Sequence, residues 1–514
     1  MRSKLINYLT GLTPRRRAFG GFLLGLAGVF GLAPFFIWPA YIIACAGFLL
    51  LLYTSITKKQ LFWTGWAFAF GYFTLGLYWI SLALHVDWGT WWWLTPFAAI
   101  GLPIYLSVYY GLAALCLSRF KDNFAFFSCV AVIAFTMAEY FRSLVFTGFP
   151  WNLPSYIWVD SPIAQNLTWI GAYGMNIFVF ASAATFAAAF YKKRSLWLTL
   201  VILGGLYGYG LISLSGTPDA SVLDSKTVMV VQPNIAQVEK WDRSKQSEHF
   251  QKTVQLSTTA DGLTPADVIV WPETAITFKK THLKAAQIPL DNMLGDGQVL
   301  LSGITDMQVT SDMEFDYYNS MVVLDDGAEP IDQYNKHHLV PFGEYVPMRN
   351  FLKFGGLAQA ISSTGDFKPG PGPQVLTLPN GLKISPLICY EVIFPGQVAP
   401  KDVRPDVLIN ITNDGWYLKS TGPYQHLAMS RARAIEEGLP LIRAANTGVS
   451  AVIDAKGRIV LELPLQQNGT ILTAMPQTLS PTLYARFGNS IFLMFLLVFT
   501  AIIGLARYYE KSSK

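Results

Sequence analysis

A chain of 514 residues that is 52% hydrophobic and only 14% charged is not a soluble protein of ordinary composition. Its net charge of +5 is small for the length, and no Lys/Arg-rich block or aromatic-basic face stands out, which argues against nucleic acid as a partner. The four cysteines are scattered, with Cys45, Cys116 and Cys129 in long apolar runs and Cys389 alone in a water-soluble context, so they build no disulfide framework. CxxC and HExxH spacings are absent, and neither a metal nor a cofactor is expected.

Charge is segregated along the chain. A polytopic α-helical membrane domain is expected over 1–218, a soluble α/β domain over 219–480, and a C-terminal transmembrane anchor with its tail over 481–514. A span needs about 20 mostly apolar residues. Segments near 18–34, 36–54, 61–84, 94–117, 123–146, 163–190, 195–214 and 488–507 meet that need, which makes about eight spans. A cleaved leader over 1–34 is the competing expectation, but further spans follow at once and no convincing cleavage site is visible.

Basic residues in the short loops orient the spans. Arg15, Arg16 and Arg17 precede the first, Lys58 and Lys59 follow the second, Arg119 and Lys121 the fourth, and Lys192, Lys193 and Arg194 the sixth. The intervening loops, His85 to Trp93 and Thr147 to Pro162, carry no Lys or Arg. The alternation places both termini in the cytoplasm and the soluble domain outside.

Glu139 and Arg142 lie in the fifth span at helical spacing. They read either as an internal i,i+3 pair or as a site for a lipid head group, since ionisable residues at membrane depth are expensive. The uncharged loop Phe146–Asn152, with Trp151, reads as an interfacial aromatic belt or as part of a lipid entry groove.

From Lys226 the pattern changes to short β-branched runs broken by turns. Strands are expected at 227–232, 267–271, 299–304, 320–324, 383–388, 406–411 and 450–454, and helices at 244–258 and 424–437. Asn380-Gly381, Asp326-Gly327 and Lys456-Gly457 mark hairpin-like turns. Alternating strands and helices predict a layered α/β fold.

Three polar positions stand where strands end: Glu273 after Val270-Trp271-Pro272, Lys336 after Tyr334-Asn335, and Cys389 after Leu387-Ile388. Strand C-termini are where distant segments converge on a ligand. Together the three residues make a nucleophilic set. An ammonium favours the thiolate, a carboxylate can take the thiol proton, and the lysine with the Tyr390 backbone N–H could hold an oxyanion. Each residue alone has a blander explanation, and a Cys–His pair using His337, His338, His249 or His426 stays open at this point.

The order of motifs carries a resemblance. Trp271-Pro272-Glu273-Thr274, Asn335-Lys336-His337-His338-Leu339-Val340-Pro341-Phe342-Gly343-Glu344 and Ile388-Cys389-Tyr390-Glu391 resemble the nitrilase superfamily, and Asn410–Trp416 and Arg443–Gly448 fit too. A nitrilase-like domain between seven N-terminal spans and one C-terminal span is similar to the apolipoprotein N-acyltransferase family. The resemblance implies a nitrilase-like α-β-β-α sandwich over roughly 220–480. It implies Glu273 as general base, Lys336 as stabilising cation and Cys389 as nucleophile, supported by Glu344, Tyr390 and Glu391. Trp241 and Asn319 are carried over as substrate-binding residues, with Arg142 and Trp151 as candidates in the membrane domain.

The implied activity is ping-pong N-acylation of the N-terminal S-diacylglyceryl cysteine of an apolipoprotein, through a Cys389 thioester. The implied donor is a phospholipid, phosphatidylethanolamine, and the implied setting is the lipid bilayer of a bacterial inner membrane. The alternative is a membrane-tethered nitrilase-type amidohydrolase. The apolar, glycine-bearing stretch Met348 to Phe367 reads either as a mobile arm at the interface or as a buried loop. A monomer is expected, because the membrane frame obstructs assembly through sandwich faces.

Overall fold

The computed structural model describes residues 2–87, 89, 92–215, 222–258, 266–278, 280, 283–309, 315–347 and 366–512. Most of the stretch from Met348 to Phe367 falls outside the described residues. The chain divides into two compact units. One gathers residues 1–218, 420–437 and 481–514, and the other residues 219–419 and 438–480.

In the first unit each of the eight apolar segments forms helix, but not every helix is long enough to span. Trp92–Arg119, Phe124–Arg142, Pro162–Ala188, Ser195–Ser215 and Asn489–Tyr509 are long and apolar enough to cross a membrane. Lys58–Gly76 with Tyr78–His85, bent by 42°, would make a sixth. Length and composition thus single out five or six of the eight expected segments among the described residues. The remaining helices are shorter. Pro14–Gly28 is 15 residues long and gives its first turn to Arg15, Arg16 and Arg17. Trp38–Tyr53 is only 16 residues long.

Small residues set one close helix crossing. A Cβ on Gly25 would lie 1.9 Å from the Phe68 carbonyl oxygen, and one on Gly71 would lie 2.2 Å from that of Phe22. Helices Pro14–Gly28 and Lys58–Gly76 therefore touch backbone to backbone, which only glycine at both positions permits.

The helix Gly422–Glu437 belongs to this unit, although in sequence it lies between two strands of the other. It is buried nearly all round, and its polar side chains have matching partners. Gln425 Oε1 accepts from the indole N–H of Trp79 (3.0 Å) and of Trp151 (2.8 Å). The helix Leu167–Ala188 breaks at Gly171, where φ is +65°, and the freed Ala172 N–H donates to Glu436 Oε1 at 2.7 Å.

The second unit is built on two six-stranded sheets. The first has the order β12-β1-β2-β3-β4-β5 and the second β11-β10-β9-β8-β7-β6. In chain order the strands are β1 (Val222–Gln232), β2 (Val268–Val270), β3 (Val299–Val309), β4 (Phe315–Leu324), β5 (Pro330–Asn335) and β6 (Leu376–Thr377). They continue with β7 (Lys383–Ile388), β8 (Val407–Thr412), β9 (Leu441–Ala445), β10 (Ser450–Ile453), β11 (Ile459–Leu463) and β12 (Gly469–Pro476).

Alternation decides the layers. Val228 and Val230 of β1 join Val268, Val270, Ile384, Ile409 and Ile442 in one core, where the sheets meet. Met229 and Val231, one residue out of phase, face a second core with Phe250 and Leu290 from the helices Gln246–Ser257 and Leu283–Met293. The result is the layered α/β sandwich of the nitrilase type.

All seven expected strands form, and the three turn dipeptides connect antiparallel pairs β4–β5, β6–β7 and β10–β11. Strands β5, β6, β9, β11 and β12 were not anticipated. β5 is a polar and largely exposed edge strand, β11 an edge strand of only five residues, and β9 carries Arg443 in an otherwise apolar run, so the pattern marks them weakly.

Candidate active site

Parallel pairing puts several strand C-termini at one end of the second unit. β1, β2 and β3 are parallel neighbours, as are β7, β8 and β9. Glu273 follows β2, Lys336 follows β5, Cys389 follows β7 and Asn413 follows β8, so the three residues expected from sequence converge.

Glu273 is held at both oxygens. Asn319 Nδ2 donates to Oε1 at 2.8 Å, and the Asn413 backbone N–H donates to Oε2 at 2.9 Å. Gly303 in β3 allows this approach, since a Cβ there would lie 2.6 Å from Glu273 Cα and 2.3 Å from Thr274 N. Lys336 is 1% exposed, and its Nζ donates to Glu344 Oε1 at 2.9 Å and lies 3.9 Å from Glu273 Oε1. Asn319 Nδ2 also donates to Glu344 Oε1 at 2.8 Å, so one amide bridges both carboxylates. Val340 N–H closes the set on Glu344 Oε2 at 2.8 Å.

Burial works against the Lys336 charge, but Glu344 and Glu273 outweigh it and raise its pKa above the ordinary lysine value. It remains an ammonium throughout the neutral range.

Cys389 sits on a sharp turn. β7 ends at Ile388, Cys389 takes φ +50°, and a 3₁₀ turn, Cys389–Ile393, follows. A non-glycine residue in the left-handed region signals a locally enforced backbone. Glu391 does the enforcing. Its Oε2 accepts from Ile388 N–H at 2.7 Å, and its Oε1 accepts from the Tyr334 hydroxyl (2.7 Å) and His337 N–H (2.7 Å). The carboxylate ties the Cys389 turn to the segment that carries Lys336. Burial alone would raise the Glu391 pKa, but bonds from His337, Ile388 and Tyr334 bring it below the ordinary value.

The Cys389 thiol is pushed up to about 12, first by burial and then by the Glu273 charge, with Lys336 pulling the other way. At neutral pH it is a thiol, not a standing thiolate. The lysine alone does not activate it, so attack needs a base at hand.

His337 Nδ1 is 2.6 Å from Glu391 Oε1, and the His338 ring stacks on Phe394 at 3.7 Å. The Tyr390 ring packs edge-on against Phe394 at 5.1 Å. Trp241 is 47% exposed.

The two membrane-unit candidates are placed differently. Arg142 is fully buried and pairs with Glu139 at 2.6 Å, while Tyr110 OH donates to the same carboxylate at 2.7 Å. The Arg142 guanidinium also donates to the carbonyls of Phe149 and Asn152 and covers the Phe73 ring. Trp151 is 1% exposed and donates to Gln425. Both side chains are interior parts of the packing rather than walls of an open groove.

Two contributors escaped the sequence argument. Asn413 acts through its backbone, which no residue-type search detects. Lys240 is buried at the site, with Nζ donating to the Glu273 carbonyl at 2.9 Å, yet in sequence it is one of many lysines.

Comparison with known proteins agrees with this geometry. Residues 227–483 match the carbon-nitrogen hydrolase family, and residues 24–185 match the apolipoprotein N-acyltransferase N-terminal domain. An apolipoprotein N-acyltransferase of Rhizobium rhizogenes is 36% identical over 96% of both chains. That of Brucella melitensis is 35% identical over 99% of both, and that of Rickettsia prowazekii 38% identical over 91% of this chain and 94% of its own. The chain belongs to the apolipoprotein N-acyltransferase family. Among solved structures it is similar to a CN-hydrolase superfamily protein from Xanthomonas campestris, at 18% identity and TM-score 0.35, covering 49% of this chain and 91% of that one. Like the family, the chain is a membrane acyltransferase with a carbon-nitrogen hydrolase domain.

Proposed function

We propose that the protein transfers an acyl chain from a phospholipid to the α-amino group of the N-terminal S-diacylglyceryl cysteine of an apolipoprotein, by way of a Cys389 thioester. The observation that carries the proposal is the buried set Glu273–Asn319–Glu344–Lys336 around a cysteine on a strained turn, in a chain of this family.

Glu273 takes the thiol proton as sulfur attacks the donor ester carbonyl. Lys336 and the Tyr390 N–H support the oxyanion. The S–C bond forms, the C–O bond breaks, and the proton returns from Glu273 to the departing lysophospholipid oxygen. In the second half the acceptor amine attacks the thioester. The N–C bond forms, the C–S bond breaks, and the proton surrendered by the amine passes through Glu273 to the released sulfur. A thioester keeps enough reactivity for amide formation without a further energy source.

Phosphatidylethanolamine is the expected donor. The setting is a bacterial inner membrane, with the catalytic unit on the periplasmic side, both termini cytoplasmic, and the protein a monomer. The loop charges support that orientation. Each methylene withdrawn from lipid costs ~0.8 kcal/mol, so extracting a long acyl chain costs on the order of 10 kcal/mol. A membrane-held enzyme avoids that cost.

The test is to incubate the full-length protein with phosphatidylethanolamine and look by mass spectrometry for an acyl adduct on Cys389. A diacylglyceryl lipopeptide with a free amino terminus is then added. Transfer of the acyl group to the peptide amine is expected. An adduct that only hydrolyses would replace the transferase by the amidohydrolase, and no adduct at all would remove the thioester.

A further inference from the structure

Lys240 is 1% exposed, and among the described residues its ammonium makes one hydrogen bond, to the Glu273 carbonyl at 2.9 Å. A neutral donor would serve a purely structural anchor as well. A buried ammonium with two unspent donors is costly unless a charge balances it.

The charges at the site supply that balance. Glu273 and Glu344 are two carboxylates, and Lys336 is a single cation already bound to Glu344. The neighbouring Asp414–Arg443 pair (2.7 Å) is matched within itself, and the Glu391 carboxylate is taken up by hydrogen bonds from Ile388, Tyr334 and His337. Lys240 brings the set of Glu273, Glu344 and Lys336 to neutrality. It faces Glu273 from the loop after β2 and Cys389 from the turn after β7, the two groups between which the thiol proton moves.

We infer that Lys240 is a positioning residue of the acyl-transfer site: its ammonium holds the Glu273 main chain and balances the negative charge whether that charge is on Glu273 or on the Cys389 sulfur. Lys336 also acts on Glu273 and Cys389, but its Nζ is bound to Glu344 at 2.9 Å. The inference rests on the function proposed above and adds a second lysine to it.

Burial pulls the Lys240 ammonium down to about 8, against the opposing pull of Glu273 and Cys389. The charge is therefore present below that pH and lost above it. Around its two partners stand Lys336 and Glu344 after β5, and Asp414 and Tyr417 after β8.

The experiment compares full-length wild type with Lys240→Met in detergent micelles between pH 6 and 9.5. The first readout is alkylation of Cys389 by iodoacetamide, followed on its own peptide by mass spectrometry. The second is first-turnover lysophospholipid release. At pH 7 the variant is expected to be slower by about tenfold in each, and the gap should close above pH 8 as wild type loses the same charge. A ratio near one, or a ratio that stays constant through pH 8, would overturn the inference, the latter marking a structural anchor.

Lys240→Arg covers the case in which Lys240→Met does not fold. Its fixed charge should abolish the decline in lysophospholipid release that wild type shows above pH 8, and a decline matching wild type also overturns the idea. Alkylation needs no lipid. If wild type released no lysophospholipid, the proposed function would fail while the alkylation ratio still judged Lys240.

Discussion

Each unit buries a cluster of opposite charges, and the two clusters are built in opposite ways. In the membrane unit Glu139 and Arg142 come from one helix, three residues apart, and close at 2.6 Å with both side chains fully buried. In the catalytic unit Glu273 comes from the loop after β2, and Lys336 and Glu344 from the loop after β5. Lys336 sits 2.9 Å from one carboxylate and 3.9 Å from the other. The first pair is complete, with its donors used on Glu139 and on two carbonyls. The second leaves slack between Glu273 and Lys336, beside the Cys389 thiol. A buried charge cluster with every donor matched serves the fold. One with an unmatched contact and a strained neighbour is poised to move a proton.

The largest expected effect breaks the second cluster. Glu273→Gln keeps the size and one hydrogen-bond acceptor but removes the base, and acyl-adduct formation on Cys389 should fall by about 10² to 10⁴. Thermal stability should fall far less than acylation does, because Lys336 keeps Glu344 as its partner at 2.9 Å. The same assay run on His337→Ala and His338→Ala decides the Cys–His alternative. If either histidine variant abolished the adduct while Glu273→Gln left it intact, the base would be reassigned.

Breaking the first cluster should reverse the pattern. Arg142→Met strands the buried Glu139 carboxylate and is expected to cost about 3–5 kcal/mol of stability. Adding Glu139→Gln should restore part of the loss, because no charge is then left unpaired. Thermal unfolding in detergent measures both, with first-turnover activity of surviving protein near wild type. A head-group role for Arg142 would instead appear as a raised KM for the lipid at unchanged stability.

Gly303→Ala should fall between the two clusters in kind. The new Cβ meets the Glu273 main chain rather than its carboxylate. The base should be displaced rather than removed, lowering acylation by up to about 10²-fold with intact chemistry. Adduct formation as complete as in wild type, only slower, is the signature. Unaltered speed would mean that the loop yields freely.

Much of this contrast was legible in the sequence. Glu273 and Cys389 each follow a run that reads as a strand, Lys336 stands in a motif of its own, and the Asn-Gly, Asp-Gly and Lys-Gly turns join the strand pairs they suggest. The membrane segments are equally plain as apolar runs. What stayed hidden is contact made by backbone or by burial. Asn413 holds Glu273 through an N–H that every residue but proline owns. Lys240 looks like surface until the fold closes over it. The i,i+3 spacing of Glu139 and Arg142 allowed two meanings, and only the positions of Tyr110, Phe149 and Asn152 show that the guanidinium is used internally. Hydropathy marks the apolar segments but not the lengths of their helices, and Pro14–Gly28 and Trp38–Tyr53 are shorter than the runs that contain them.

The smallest expected effect concerns Glu391, which belongs to the catalytic unit yet resembles the membrane pair in being fully matched. Its carboxylate is buried, and hydrogen bonds hold it below the ordinary value. The folded protein therefore favours the charged form. That contribution is fully present above ~4.3, the unperturbed glutamate value, and is lost as pH falls through the lower folded value. Glu391→Gln should cost about 2 kcal/mol near pH 7, the scale of hydrogen bonds to a charged group. The difference from wild type should shrink as pH falls below about 4. Denaturant midpoints at both pH values measure it. A difference that stays constant across the range would mean that Glu391 acts by shape alone. The Cys389 turn would then owe its geometry to packing rather than to the charge that ties it to Tyr334 and His337.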